Sequence, residues 1–192
     1  MSTCSPAAPI ISIAVATKTP DEIVNAVAVG EADVGITFSN DLHPDVRVFS
    51  EKAAPFGLVM RPDHPLAERT SVSVEDIVGY PLVRTIDARG GNSILDQQMA
   101  NLAVPLSTHI YTNALEVAKQ MILSNHVMGI YTKIGFLREI ERGVLRFVKL
   151  NHPTLSEYRI GLIVSATCNI DPVKHLFFGL VERLLKTTRF DA

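Results

Sequence analysis

The sequence predicts a mixed α/β protein built as two lobes, and three observations carry that expectation. A strand, helix, strand pattern runs from Ile10 to Phe38. A second series of short strands and helices fills the stretch from Pro55 to Leu150, and a strand followed by one long amphipathic helix, opening at Asp171, ends the sequence. With 192 residues, 47% hydrophobic and 20% charged, the chain has enough apolar material for one domain or two small lobes.

The first pattern starts with Ile10 to Val15, an apolar run that reads as a buried strand. Thr19 then caps a helix whose first position is Pro20 and whose Glu22 stands three residues beyond the cap, in place for a reciprocal box bond. Ile23, Val24 and Val27 form its apolar face, Gly30 supplies a left-handed end, and Val34 to Phe38 is the next strand. Strands joined through a helix imply a right-handed crossover and a parallel sheet. Ligands meet such sheets at the carboxyl ends of strands, which marks Thr17 to Thr19 and Thr37 to Asn40 as a binding rim.

After a turn at Asn40 to Pro44, Val46 to Phe49 and Pro55 to Met60 read as strands. A proline-rich turn then leads to a brief helix at Ser73, Glu75 and Asp76, and Leu82 to Thr85 resumes as a strand inside a second lobe. Ile86 to Asn92 is a polar, glycine-containing loop. Asn92 or Ser93 caps the next helix, which carries Ile94, Leu95, Met99 and Leu102, and its N–H groups stand near Arg84 and Arg89 as an anion receptor requires. Asn113, with Glu116, caps a helix whose inward face is Leu115, Ala118, Met121 and Ile122, ended by Asn125. Val127 to Tyr131 is a strand, Thr132 begins a helix with Ile134, Leu137 and Ile140, and Gly143 closes it. Leu145 to Leu150 and Tyr158 to Val164 are further strands. Asp171 and Pro172 then open the clearest amphipathic helix, defined by the three-and-four spacing of Val173, Leu176, Phe177, Leu180, Val181, Leu184 and Leu185.

Composition excludes several functions. The apolar runs are too short to span a bilayer, and no basic residue precedes the N-terminal apolar run as a secretory signal requires. Cys4 and Cys168 do not form the framework of a disulfide-stapled secreted scaffold, so a reducing cytoplasm is expected. Eighteen basic against twenty acidic residues, with no basic block or DNA-binding motif, leave this polypeptide without means to hold nucleic acid by itself. His43, His64, His109, His126, His152 and His175 are scattered without metal-ligand spacing. Asp33 suits a helix-to-strand connection, Glu75 and Asp76 suit capping, and Cys168 has no base motif beside it. No enzyme and no cofactor are expected.

From about Pro9 to Leu185 the chain resembles the effector-binding domain of LysR-type transcriptional regulators. The stretches that carry the resemblance are PIISIAV, the phrase GEADVGI at Gly30 to Ile36, HPLAERTSVSVEDIVGYPLV, ALEVAKQMILSNHVMGIYT from Ala114 to Thr132, and the terminal DPVKHLFFGLVERL. Their order and spacing across nearly the whole chain make the resemblance specific. It implies the two-lobed fold of type 2 periplasmic binding proteins, with lobe one at about 1–52 plus 153–192 and lobe two at about 53–152. It also implies a metabolite sensed in the cleft between lobes and a signal passed to an N-terminal winged helix-turn-helix. The sequence departs from the family pattern at its start, where the DNA-binding segment and the first strand and helix of lobe one are missing. In the family that strand lies centrally in its lobe and that helix contributes to dimerisation, so a homo-oligomer is expected but the truncation bears on it. DNA would be met only through the missing domain, and no membrane partner is expected.

The resemblance places effector contacts at Thr19 and Pro20, at Thr37 and Phe38, across Thr85 to Ser93, and at Tyr131 and Thr132. The chemistry of the residues supports a small polar metabolite, with a carboxylate as one candidate group. Thr19, Thr37, Thr85, Ser93 and Thr132 offer hydroxyls, Asn92 donates and accepts, Arg84 can grip a carboxylate through two parallel bonds, and Tyr131 combines ring packing with a hydroxyl. Each has a plainer alternative: Thr19 is an expected cap, Thr37 and Thr85 can satisfy strand ends, Arg84 can face solvent or belong to a salt bridge, and Phe38, Pro20 and Tyr131 can be core or wall. Two rival functions share part of this reading. A transport solute-binding protein would use the same cleft physics, and a regulator fragment could act through protein association alone.

Overall fold

The Thr-Pro-Asp-Glu start behaves as its chemistry dictates. In the computed structural model, which describes residues 12–40, 42–85, 94–99, 106–124 and 126–188, helix α1 (Pro20–Ala28) begins at a complete capping box. Thr19 Oγ1 accepts from Glu22 N–H at 3.4 Å, and Glu22 Oε2 accepts from Thr19 N–H at 2.8 Å. Gly30, at φ +78°, lets the chain leave the helix where a Cβ would be strained.

The chain divides into two compact units. Unit 1 is Met1–Glu51 with Gly161–Thr187, and unit 2 is Lys52–Ile160 with Thr188–Ala192. Unit 1 holds α1, strands β1 (Gly35–Phe38) and β2 (Val46–Ala53, which runs on into unit 2), and, from the far end of the sequence, strand β9 (Arg159–Ser165) and helix α5 (Pro172–Thr187). The sheet order is β1-β9-β2. Val27, Val46 and Ile163 form the core on the α1 side. A Cβ on Gly35 would stand 2.6 Å from Ile23 Cγ2 and 3.1 Å from Val27 Cγ2, so the missing side chain is what lets β1 lie against α1. On the opposite face, Phe178 of α5 meets Phe49 with ring centroids 4.7 Å apart.

Two expectations for unit 1 need correction. Residues 12–15 of the Ile10 to Val15 run form no strand: Ile13 is 65% and Val15 89% exposed, while Ile10 and Ile11 lie outside the described residues. An apolar run becomes a strand only when another strand satisfies its N–H and C=O groups. Here β1 takes its pairing from β9, so the predicted parallel crossover from Ile10 to Phe38 is not built. Helix α5 forms as predicted, with Asp171 Oδ1 accepting from Lys174 N–H at 2.8 Å, but its apolar spacing does not make one buried face, since Val173, Leu176, Leu180 and Leu184 are exposed. Phe178, Val181 and Leu185 are the residues it buries.

Unit 2 is organised by a six-stranded mixed sheet of order β4-β8-β3-β7-β5-β6, formed by β3 (Phe56–Met60), β4 (Ser71–Val72), β5 (Leu82–Arg84), β6 (Thr108–Tyr111), β7 (Met128–Thr132) and β8 (Arg146–Leu150). β3 runs antiparallel to both β7 and β8, whereas β5 is parallel to both β6 and β7. All five residues of β3 are buried, as a central strand covered on both faces requires. One face packs Val59 and Val83 against Ala118 and Ile122 of α3 (Leu115–Ser124), with Phe136 and Leu145 completing the cluster. Full burial of each such side chain contributes about 1.5–3 kcal/mol. The short α2 (Ile94–Met99) follows β5, and α4 (Leu137–Glu141) follows a 3-10 turn at Lys133–Phe136.

The start of α3 also differs from expectation. Thr112 Oγ1 accepts from Ala114 N–H at 3.1 Å, and Glu116 pairs with Lys119 Nζ at 3.0 Å, so the Asn113 and Glu116 box is replaced by a threonine turn and an ion pair one turn along. Thr132 does precede a helical segment, but as the cap of the 3-10 turn and with no side-chain capping bond.

Candidate functional site

Parallel strands joined by helices bring their carboxyl ends to one edge, and the helix that follows a strand starts at that edge. In unit 2 the parallel trio β6-β5-β7 does this. Thr85 follows β5, Thr112 to Leu115 follow β6 and open α3, and Tyr131 stands near the end of β7. These six residues, Thr85, Thr112, Asn113, Ala114, Leu115 and Tyr131, line one hollow of about 160 Å³.

Its surface is mostly apolar and carries no charged side chain, with a few polar groups set into the wall. Thr85, Thr112 and Tyr131 bring hydroxyls, Asn113 an amide, and α3 brings the first-turn N–H groups that have no partner four residues back. Tyr131 is set by packing. Its ring meets Phe136 at a centroid distance of 5.2 Å and lies over Gly129, whose absent Cβ would stand 2.5 Å from Tyr131 Cε2. Burial pushes the Tyr131 hydroxyl up to about 12, with the Arg84 charge pulling weakly the other way, so the phenol is a neutral donor and acceptor at physiological pH.

Arg84 is placed differently from a ligand clamp. It is 7% exposed, and its guanidinium bonds to Asp96 and, at 3.4 Å, to Thr108 Oγ1. Adjacent strand residues point to opposite faces, so Arg84 turns away from the face that holds Thr85. Among the described residues its Nε has no partner.

Each sequence-derived contact has its own place within its unit. Thr85 and Tyr131 come together in the hollow. Thr132 ends β7 half-buried and is not part of the lining. Asn92 and Ser93 lie outside the described residues. In unit 1, the Thr19 hydroxyl both accepts from Glu22 N–H and donates to Glu22 Oε2 at 2.9 Å, Pro20 is the first residue of α1, Thr37 is 5% exposed, and Phe38 is half-buried. Four lining residues, Thr112 to Leu115, were not expected as contacts. The signal for them was the alternation Thr108, His109, Ile110, Tyr111, a four-residue strand that delivers the α3 start to the same edge as Thr85.

Comparison with known proteins agrees with this architecture. The description of the LysR substrate binding domain matches residues 2–186. The chain is 23% identical over 155 residues to the HTH-type transcriptional regulator SsuR of Burkholderia cenocepacia, a match that covers 80% of this chain and 50% of SsuR; the chain thus spans about half the length of that relative. Among solved structures, the effector-binding domain of QuiR in complex with shikimate aligns with a TM-score of 0.64 at 18% identity, covering 86% of this chain and 77% of that one. The regulatory domain of Synechocystis PCC6803 CcmR in complex with 2-PG aligns with a TM-score of 0.68 at 15% identity, covering 88% and 81%. At these identities the structures establish the fold, the α/β class of two-lobed periplasmic-binding-protein type. No helix among the described residues is long and apolar enough to cross a membrane. The matched domain is regulatory and not catalytic, and with the match extending over nearly its full length, the chain belongs to the LysR substrate binding domain family.

Proposed function

We propose that this chain is the effector-sensing part of a LysR-type transcriptional regulator and that the unit 2 hollow takes the polar end of a small, carboxylated metabolite. The observation that carries the reading is the convergence of Thr85, the α3 start and Tyr131 at the carboxyl ends of three parallel strands. Shikimate and 2-PG, the ligands of the QuiR and CcmR domains, are small carboxylates rich in oxygen. The hollow supplies matching groups: hydroxyls, and helix N–H groups that favour negative charge.

In this reading residues 1–52 and 153–192 form one lobe and 53–152 the other, and the effector acts by binding one arrangement of the regulator better than another. Thr19, Thr37, Phe38, Thr132, Asn92 and Ser93 remain proposed contacts for the rest of the ligand. Arg84 is reassigned to holding Asp96. The full regulator works in the cytoplasm as a homo-oligomer and meets DNA through a domain outside the matched region.

Calorimetric titration of shikimate and of 2-PG tests the proposal. At least one binds, and Thr85→Val, which keeps the shape and removes the hydroxyl, weakens it about tenfold, the equivalent of one hydrogen bond. Equal affinity for wild type and variant would exclude the hollow as the contact surface.

A further inference from the structure

Two helices of this chain open with the same spacing of cap and acid and are held differently. At α1 the Thr19 and Glu22 box is complete, with Glu22 Oε2 accepting from Thr19 N–H at 2.8 Å. At α3, Asn113 and Glu116 stand at the same spacing, but Glu116 Oε1 accepts from Lys119 Nζ at 3.0 Å. The sequences differ one turn on: Asn25 stands three residues beyond Glu22, and Lys119 three residues beyond Glu116.

The pair at α3 has a fixed member and a movable one. The Lys119 side chain is 11% exposed, and its Nζ also lies 3.4 Å from Glu139 Oε1 of α4 and 6.0 Å from the centre of the Phe136 ring. Glu139 Oε2 is buried with no partner among the described residues, so that carboxylate depends on the lysine for compensation. The Glu116 side chain is 78% exposed. Its carboxylate is the group that moves when the lysine is removed.

The helix start sets where it goes. α3 begins its bonding at Ala114 C=O, which accepts from Ala118 N–H at 3.1 Å, while Thr112 Oγ1 accepts from Ala114 N–H. A box between Asn113 and Glu116 starts the helix one residue earlier and places the carboxylate on Asn113 N–H. Thr112, Asn113 and Ala114 line the hollow. The box therefore sets a carboxylate of the chain itself at the edge where a ligand's carboxylate binds, and its charge offsets the positive end of the helix.

We propose that Lys119 is a positioning residue for the effector site: by holding Glu116 against Glu139 it keeps the Asn113 and Glu116 box from closing, and so leaves the α3 start open to the ligand's anionic group. The inference rests on the effector reading of the hollow. Lys119 is not part of the lining and acts through Glu116 alone.

Amide hydrogen exchange and calorimetry on the full 192-residue chain test it. Lys119→Gln keeps a donor for Glu139, and Lys119→Met, an apolar chain of similar length, replaces it if the first variant does not fold. Without ligand, Asn113 N–H exchanges more slowly in the variant than in the wild type. Whichever of shikimate and 2-PG binds the wild type binds the variant about fivefold more weakly, the equivalent of one capping bond. Adding Glu116→Ala returns that affinity, and Glu116→Ala in the wild-type background gains much less. Unchanged Asn113 exchange overturns the inference, whatever binds. So does an equal gain from Glu116→Ala in both backgrounds, which is an effect of charge alone, or a loss that Glu116→Ala does not recover, which is an effect of a disturbed core. Slower Asn113 exchange in a chain to which neither ligand binds supports the Lys119 restraint and counts against the effector reading instead.

Discussion

Tyr131 lies folded over Gly129, two residues before it on the same strand, in space that any larger residue would occupy: a Cβ there would stand 2.5 Å from Tyr131 Cε2 and 3.1 Å from Ile122 Cδ1. Gly129→Ala therefore has to displace the ring that walls the hollow. Overpacking of this kind costs about 1–3 kcal/mol. Urea denaturation reads that loss, and ligand titration reads a weaker affinity alongside it. Unchanged stability would mean the ring has room to move.

The same ring gives an alkaline signature. Burial raises the Tyr131 hydroxyl to about 12 from the ordinary 10. Between those values the folded chain holds a proton that the unfolded chain has lost, so the stability this group contributes is complete below pH 10 and lost as pH rises toward 12. The difference in ultraviolet phenolate absorbance between wild type and Tyr131→Phe shows a transition near pH 12. A difference centred at pH 10 would place the hydroxyl in water.

Arg84 and Asp96 form a pair at 7% and 18% side-chain exposure. Asp96→Ala leaves the buried guanidinium with Thr108 as its remaining described partner, and removing one member of a buried pair costs about 3–5 kcal/mol. Chemical denaturation measures this, and a loss below about 1 kcal/mol would indicate that water reaches Arg84.

Acid stability depends on His64. Its Nδ1 accepts from Leu66 N–H at 3.2 Å and its ring lies 4.9 Å from Tyr80. Burial holds its pKa below the ordinary 6.5, against the pull of Asp63 and with help from His126. The folded chain then binds fewer protons than the unfolded one just below 6.5, so this contribution is present above that pH and lost as pH falls through it. His64→Asn keeps an acceptor near the Nδ1 position without titrating there. Its melting temperature loses less between pH 7 and pH 5.5 than that of the wild type.

The capping box at the start of α1 makes a smaller, local contribution. Thr19→Ala removes the acceptor for Glu22 N–H and costs about 1 kcal/mol, read as a lower denaturation midpoint, whereas Thr19→Ser restores it.

What the sequence disclosed follows the range of the interactions. Thr19, Pro20 and Glu22, like Asp171 and Pro172, announce helix starts because capping bonds span three residues. Gly30 and Gly143 announce ends because positive φ is a property of one residue. The direction in which α5 buries itself was not legible, since its apolar residues cover two faces and periodicity alone does not say which one meets the sheet. Ile10 to Val15 looks like a strand in composition, but pairing depends on a neighbour that composition does not contain. Thr85 and Tyr131 were legible as strand ends. Thr112 to Leu115 were not, because their role depends on β6, four residues that pair with β5 across a gap of more than twenty. The Arg84 and Asp96 pair was hidden for the same reason: the arginine was visible as a cation, its partner only in three dimensions.

The central claim is that the carboxyl ends of β5, β6 and β7 receive a small carboxylate. Amide NMR spectra of the chain titrated with shikimate and with 2-PG test it most directly. The account predicts saturable shifts concentrated at Thr85, Asn113, Ala114, Leu115 and Tyr131; shifts from both ligands that leave these residues unmoved, or no saturable shift with either, would contradict it.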